Sequence, residues 1–237
     1  MNQEDYLTLP LLNAPGFFHF FGTKNLTEET VKVSHNGRSL RLTQVHGDGI
    51  IKADTKTADR LPGDALVTDC QGVLITIFTS DCLPVIIIDP SHYAVAIVHA
   101  GWRGSLLRIV AKTVLAMTEA YGSDPASLLI GMGHRIGPCC FEVGREVWEQ
   151  VEREPDYQDG VIAQRHGEKA WIDIARLNRI QLLQAGVTPE HIADANVCTC
   201  CHPERFNSYR RDHIKGQNMM SGVGVTTPGG NTAPLGL

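Results

Sequence analysis

The chain has 237 residues, of which 43% are hydrophobic and 20% charged, with a net charge of −5; this is the profile of an ordinary globular protein long enough to bury a large core. The arginines are scattered and no basic block occurs, which argues against nucleic acid as a main partner. No apolar run approaches the roughly 20 residues of a membrane span, and the acidic start Met1-Asn-Gln-Glu-Asp5 lacks the basic region of a signal peptide.

Seven cysteines include two groups close in sequence, Cys139–Cys140 and Cys198–Cys200–Cys201. Bonds between such near neighbours are strained, so the expectation is a cytoplasmic chain with reduced thiols, some able to bind metal.

In chain order, Phe17–Phe21 is a short aromatic strand ending at Gly22, and His-Asn-Gly within Ser34–Ser39 signals a turn. Arg41–His46 reads as a strand, with Ile50–Ala53 as its hairpin partner across Gly47-Asp-Gly49. Asp64–Thr68, Val73–Thr79, Val85–Asp89 and Tyr93–Val98 follow as four strand-like runs whose short connections favour antiparallel neighbours. The last two are apolar and β-branched and are split by a Pro90–His92 turn. If they pair, Cys82 and His99 fall at one edge of the sheet.

From Gly104 the period changes: Leu107, Val110, Val114 and Met117 have helical spacing, and Gly122 is the stop. Leu128–Met132 is a further strand. Phe141–Arg153 reads as an amphipathic helix, Glu154–Lys169 as an exposed polar excursion, and Trp171–Gly186 as the site of a second strong helix. Thr188-Pro-Glu190 opens a short helix or turn, Val197–Cys201 reads as a strand, and the tail from Thr226 as frayed. No repeat or linker interrupts this mixture, so the expected fold is a single α/β domain over 1–237 with mixed sheets.

Two imidazoles and a thiolate, His46, Cys82 and His99, suit Zn²⁺ or copper and leave a coordination position open for water or substrate. Their separations are not those of a compact metal motif. Each histidine is equally readable as an ordinary one of the ten, Cys82 as a small buried hydrophobe, and the Cys82–His99 pair as a thiol nucleophile with its base. Asp81 is a candidate ligand orienter or proton acceptor, or a turn-forming residue. Gly101-Trp-Arg-Gly104 lies between strand and helix, where Arg103 and a helix N-terminus suit phosphate or carboxylate; a plain structural turn with a solvated arginine is the alternative. Cys198-Thr-Cys200-Cys201-His202 looks like a metal knuckle that Cys139–Cys140 could complete, but neither group is read as a recognisable zinc site, and buried structural thiols are the expectation there. His166-Gly-Glu168 lacks the downstream cysteines of zinc deaminases.

Read together, Thr43-Gln-Val-His-Gly47, Asp64-Ala-Leu-Val-Thr68, Ser80-Asp-Cys-Leu-Pro-Val85, Val98-His-Ala-Gly-Trp-Arg-Gly104, Ile136-Gly-Pro-Cys-Cys140, Asp173 through Gly186 and Ser208-Tyr-Arg-Arg-Asp212 resemble the YfiH/laccase-domain family over about residues 41–220. The resemblance implies a layered α/β/β/α fold with mixed sheets and a His46, Cys82, His99 metal site; with it, the reading of the residues places Cys82, His99, Asp81 and Arg103 in the catalytic set and Gln44 and Arg103 on the substrate. It further implies zinc-dependent phosphorolysis of adenosine, inosine and methylthioadenosine, with adenosine deamination; the expected partners are a purine nucleoside and phosphate, and the expected state is a monomer. Copper-dependent phenol oxidation, and a Cys–His hydrolase acting on a cell-wall precursor amide, are the alternative activities attached to the family. The chain departs from the family pattern at Gly22-Thr-Lys-Asn25, Met132-Gly-His-Arg135, Cys200 and Asn207.

Overall fold

The structure, a computed structural model, describes residues 4–34, 37–154, 157 and 160–226. His35 and Asn36 of the anticipated turn, and 227–237 of the anticipated frayed tail, lie outside the described residues.

The elements in order are β1 (Tyr6–Leu7), β2 (Phe17–Gly22), α1 (Glu28–Ser34), β3 (Arg38–Arg41), β4 (Ile50–Lys52), β5 (Ala65–Thr68), β6 (Val73–Thr79), β7 (Leu83–Asp89), β8 (Ala94–Ala100), α2 (Trp102–Leu106) and α3 (Ile109–Tyr121). They continue with β9 (Leu129–Met132), β10 (Glu142–Val143), α4 (Arg145–Glu152), β11 (Ile162–His166), β12 (Lys169–Ile172), α5 (Ile174–Gln184), β13 (Ile192–Asp194), α6 (Tyr209–Asp212) and β14 (Met219–Val225).

Two mixed sheets carry the fold. One runs β13-β9-β7-β8-β5-β4 and the other β1-β2-β14-β6-β3; a small third sheet is β10-β12-β11. At the centre, β7 and β8 form the expected antiparallel hairpin, in register from Leu83 opposite Ala100 to Asp89 opposite Ala94. Asp89 makes the turn possible: its carboxylate accepts the Ser91 and His92 backbone N–H groups at 2.9 and 3.2 Å, and Tyr93 takes a left-handed φ of 52°.

Alternation along β7 splits its side chains between two layers. Val85 and Ile87 pack with Val110, Val114 and Met117 of α3, while Ile86 and Ile88 pack against Ile75, Ile77 and Val223 of the other sheet. Val31 of α1 covers the far face of that second sheet with Phe18, Phe20 and Met220. Helix, sheet, sheet and helix therefore stack in the α/β/β/α order anticipated, and β7 and β8 are buried along their whole length.

Several boundaries differ from expectation. The strand anticipated at 41–46 ends at Arg41, because residues 42–46 leave the sheet to carry His46; Ile50–Lys52 pairs parallel with β5 and is no hairpin partner. β6 crosses to the second sheet, so it is not a neighbour of β5. The helix anticipated from 104 is two pieces, broken where Arg108 is left-handed at φ 63°, and it stops at left-handed Gly122. The first residues of the anticipated 141–153 helix form β10, and the anticipated exposed excursion contains the β11–β12 hairpin, whose polar outer face hid it. Residues 197–201 form a turn with one bridge, Arg135 to Cys198, and the strand there is the earlier β13.

Candidate metal centre and its cleft

Cys82 immediately precedes β7 and His99 is the penultimate residue of β8, opposite Pro84, so the hairpin register places both at one end of the central sheet. His46 arrives from the loop after β3, held at a left-handed φ of 59°. One ligand atom from each of His46, Cys82 and His99 lies within 4.8 Å of the others, and the two imidazole rings meet edge-on at 4.8 Å.

A residue absent from the expected site set organises this geometry. Asp64, fully buried just before β5, accepts the Nδ1 side of His99 at 2.8 Å and the backbone N–H groups of Val45, His46 and Gly47 at 3.3, 2.9 and 2.7 Å. Its own carbonyl accepts the His99 backbone N–H at 2.8 Å. One carboxylate thus fixes two of the three candidate ligands and leaves His99 Nε2 for the cluster, the carboxylate–histidine arrangement that orients metal-binding imidazoles. The only sequence signal was its place at the head of Asp64-Ala-Leu-Val-Thr68, with no chemistry attached to it.

Burial by itself pushes the Cys82 thiol up, but hydrogen bonds from His46 and His99 outweigh it and bring the pKa down to about 6. Burial likewise pushes His99 down, and Asp64 and Cys82 outweigh it, raising His99 to about 9. The site therefore favours a thiolate, the form that ligates metal.

The glycines beside the cluster are there for close approach. A Cβ on Gly101 would stand 3.2 Å from Cys82 Sγ and 3.5 Å from His46 Cδ2; one on Gly104 would stand 2.7 Å from the Gly47 carbonyl oxygen. The turn into α2 is thereby pressed directly against the His46 loop.

The triad opens into a cleft of about 930 Å³, within the range of small-molecule sites. Trp102, Phe141 and Tyr209 give it aromatic walls, and Arg103, Arg210 and Lys215 give it positive charge. Arg103 lies over the Trp102 ring at 4.3 Å and has no carboxylate partner among the described residues. The helix that begins beside it, α2, is five residues long, too short to give the phosphate-binding helix terminus that was anticipated; the cations of the cleft stand in that place.

Gln44 and Asp81 also line the cleft, but both are occupied. Gln44 accepts the Phe78 backbone N–H and donates to the Phe78 carbonyl, each at 2.8 Å, like one more strand residue beside β6. Asp81, at φ 81°, accepts Thr199 Oγ1 at 2.5 Å, Ser208 Oγ at 3.0 Å and the Arg210 backbone N–H at 2.7 Å. Three donors on one carboxylate tie it to the turns that carry Thr199, Ser208 and Arg210.

The cysteines anticipated as buried structural thiols are not buried. Cys139 and Cys201 are exposed, Cys140 and Cys198 half-buried, and the four gather with their sulfurs within 4.8 Å of one another. Cys198 and Cys201 stand in C-x₂-C spacing, a signal obscured by Cys200 between them.

Fold and site together define a class: a layered α/β chain with a metal-capable His–Cys–His cluster at the open end of its central hairpin, above an aromatic and cationic cleft. A family profile described as multi-copper polyphenol oxidoreductase laccase matches residues 23–226, and the chain belongs to that family. Among its relatives, a purine nucleoside phosphorylase of Bacteroides thetaiotaomicron is 36% identical over 180 residues, covering 75% of this chain and 67% of the relative. The purine nucleoside phosphorylase YfiH of Escherichia coli is 35% identical over 74% of this chain and 70% of its own. The human purine nucleoside phosphorylase LACC1 is 31% identical over 83% of this chain, which spans about half (48%) of the human protein's length. The crystal structure of YlmD from Geobacillus stearothermophilus superposes with a TM-score of 0.85 at 26% identity, covering 96% of this chain and 98% of that one.

Proposed function

We propose that the chain is a zinc-dependent purine nucleoside phosphorylase acting on adenosine, inosine and methylthioadenosine in the His46–Cys82–His99 cleft. The observation that carries this reading is the convergence of three metal-capable donors, one of them oriented by Asp64, at a cleft with aromatic walls and Arg103, which has no carboxylate partner among the described residues. The printed activity of the relatives supports the substrate class.

Two imidazoles and a thiolate fit zinc in kind and number, and Gly101 keeps the space beside them free of side chain. A zinc ion held there supplies Lewis-acid polarisation of whatever oxygen occupies its open position. The chain's own groups do the rest. Trp102, Phe141 and Tyr209 offer flat apolar surface to a purine. Arg103 offers two parallel N–H donors to phosphate, and its stacking on Trp102 limits the freedom lost on binding. Held in line, a phosphate oxygen forms a bond to C1′ as the C1′–N9 bond breaks, its electron pair leaving with the purine. Asp81 acts as a positioning residue, tying the residue before Cys82 to Thr199, Ser208 and Arg210; Gln44 likewise sets the loop that carries His46.

Phenol oxidation by several coppers fits less well. Beyond the triad, the one other metal-capable cluster among the described residues is made of thiols alone, whereas four-electron reduction of oxygen needs more histidine-ligated copper.

The test is an adenosine assay on the purified chain, with and without phosphate, beside its metal content. Phosphate-dependent release of adenine with zinc bound is expected. Phosphate-independent formation of inosine would assign deamination to the cleft, and amide hydrolysis that rises on metal removal would assign it to a Cys82–His99 pair.

A further inference from the structure

We infer that Cys139, Cys140, Cys198 and Cys201 form a second metal site, a structural tetrathiolate zinc that braces one wall of the cleft. Two turns far apart in sequence bring these sulfurs together, and all four ligand atoms lie within 4.8 Å of one another. Cys201 Sγ is 3.6 Å from Cys139 Sγ and 3.5 Å from Cys140 Sγ. Sulfurs at about 2.3 Å from a central zinc occupy the corners of a tetrahedron with edges of about 3.8 Å. The observed separations approach that edge, and since two of the four thiols are exposed and two half-buried, burial in an apolar core does not account for their gathering.

The surrounding backbone is suited to thiolates. The Gly137 N–H donates to Cys198 Sγ at 3.2 Å, and a Cβ on Gly137 would press on Cys139 Sγ and the Cys198 side chain, with the first contact at 3.3 Å. Two arginines bring positive charge to the same turns. Arg210 Nη1 donates to the Cys140 carbonyl at 3.2 Å, and Arg211 Nη1 donates to the Thr199 and Cys200 carbonyls at 3.0 and 3.1 Å. A tetrathiolate zinc carries a net charge of about −2, which Arg210 partly offsets, the Arg211 guanidinium being paired with Asp212 at 2.6 Å. The donor set selects for the metal: soft sulfur in a closed tetrahedron suits zinc and leaves no open position, so the role is structural.

The site ties the turn after β9 to the turn after β13. Between its ligands sits Thr199, whose hydroxyl holds Asp81 next to Cys82. Loss of this zinc therefore reaches the catalytic cleft through Asp81, although none of the four sulfurs belongs to the His–Cys–His cluster.

The experiment is zinc quantitation on the full chain, purified under reducing conditions, as wild type, Cys82→Ala and the double variant Cys198→Ser/Cys201→Ser. The wild type is expected to hold about two zinc ions and each variant about one. Because the double variant risks misfolding, the wild type is also alkylated natively and mapped by mass spectrometry. Cys139, Cys140, Cys198 and Cys201 are expected to resist labelling together, and to become labelled together when a chelator is added. A Cys82→Ala protein without zinc would overturn the inference, as would immediate labelling of the four thiols in zinc-loaded protein. A disulfide that reductant opens and chelator does not, or iron in place of zinc, would equally overturn it.

Discussion

The carboxylate of Asp64 and the imidazole of His99 lie 2.8 Å apart in a fully buried pair, and the same carboxylate holds the backbone on which His46 rides. Two candidate ligands from separate parts of the chain are thus registered by one fully buried residue that does not line the cleft. Asp64→Asn keeps the size of the side chain but removes its charge and half of its acceptor capacity. We expect it to fold and to bind zinc about 10–100-fold more weakly, the usual cost of losing such an outer partner. A competition titration against a chromophoric chelator checks this; unchanged affinity would remove Asp64 from its orienting role.

Gly101 has ordinary backbone angles, φ −70° and ψ 168°, so alanine there is not strained by conformation. Its methyl would instead press on Cys82 Sγ at 3.2 Å. Gly101→Ala is expected to cost about 1–3 kcal/mol of stability, the range for overpacking, and to weaken metal binding disproportionately. Chemical denaturation and metal titration on one preparation separate the two effects.

Arg103 is a cation of the cleft wall with no carboxylate partner among the described residues, and its phosphate role follows from the proposed activity. Removing a charge-assisted pair costs about 1.5–3 kcal/mol. Arg103→Ala should therefore raise the KM for phosphate about 10–100-fold while leaving zinc content unchanged. Arg103→Lys should recover only part of the loss, because lysine lacks the planar two-donor fork. Steady-state kinetics with phosphate as the varied substrate decides the point.

Acid should destabilise the fold through buried histidines that are not among the candidate metal ligands. His19 is buried, its Nε2 accepts the Leu9 backbone N–H at 2.9 Å, and burial lowers its pKa to about 4. His134, stacked on Phe206 at 4.6 Å, is lowered to about 3, by burial first and then by Arg205 and Arg135. Each is neutral when folded and titrates near 6.5 when unfolded, so the unfolded chain binds more protons below that value. Stability is full above about pH 6.5 and falls as pH drops from there toward 4, by about 3 kcal/mol for His19 alone. Denaturant midpoints between pH 7 and 4.5 should show the decline. His19→Leu, less stable at neutral pH for want of the Leu9 acceptor, should show a flatter one.

The central hairpin was legible because its information is local. Val85–Asp89 and Tyr93–Val98 are apolar, β-branched and separated by a turn signal, and this alone brought Cys82 and His99 to one sheet end. The helical spacing of Val110, Val114 and Met117 was equally local, as was the stop at Gly122. The β11–β12 hairpin was missed because its outer face is polar and only β12 contributes buried residues. The break at Arg108 was missed because apolar residues continue in helical register on both sides of it.

By itself the sequence determined the alternation that sorts β7 between a helical layer and a second sheet, and, through its resemblance, the three metal-capable residues and the family. Tertiary structure alone decided what those residues answer to. Asp64 becomes the orienting carboxylate because β5 lies beside β8 with Ala65 opposite Val98, a register no short window of sequence contains. The hydrogen-bond partners of Asp81 and Gln44, namely Thr199, Ser208, Arg210 and Phe78, come from distant turns and strands. The four cysteines become one cluster for the same reason: parallel pairing of β9 with β13 carries the turns that follow them to the same place. Periodicity reports which face of an element is buried, whereas the partner of a polar group is fixed only when the chain closes on itself.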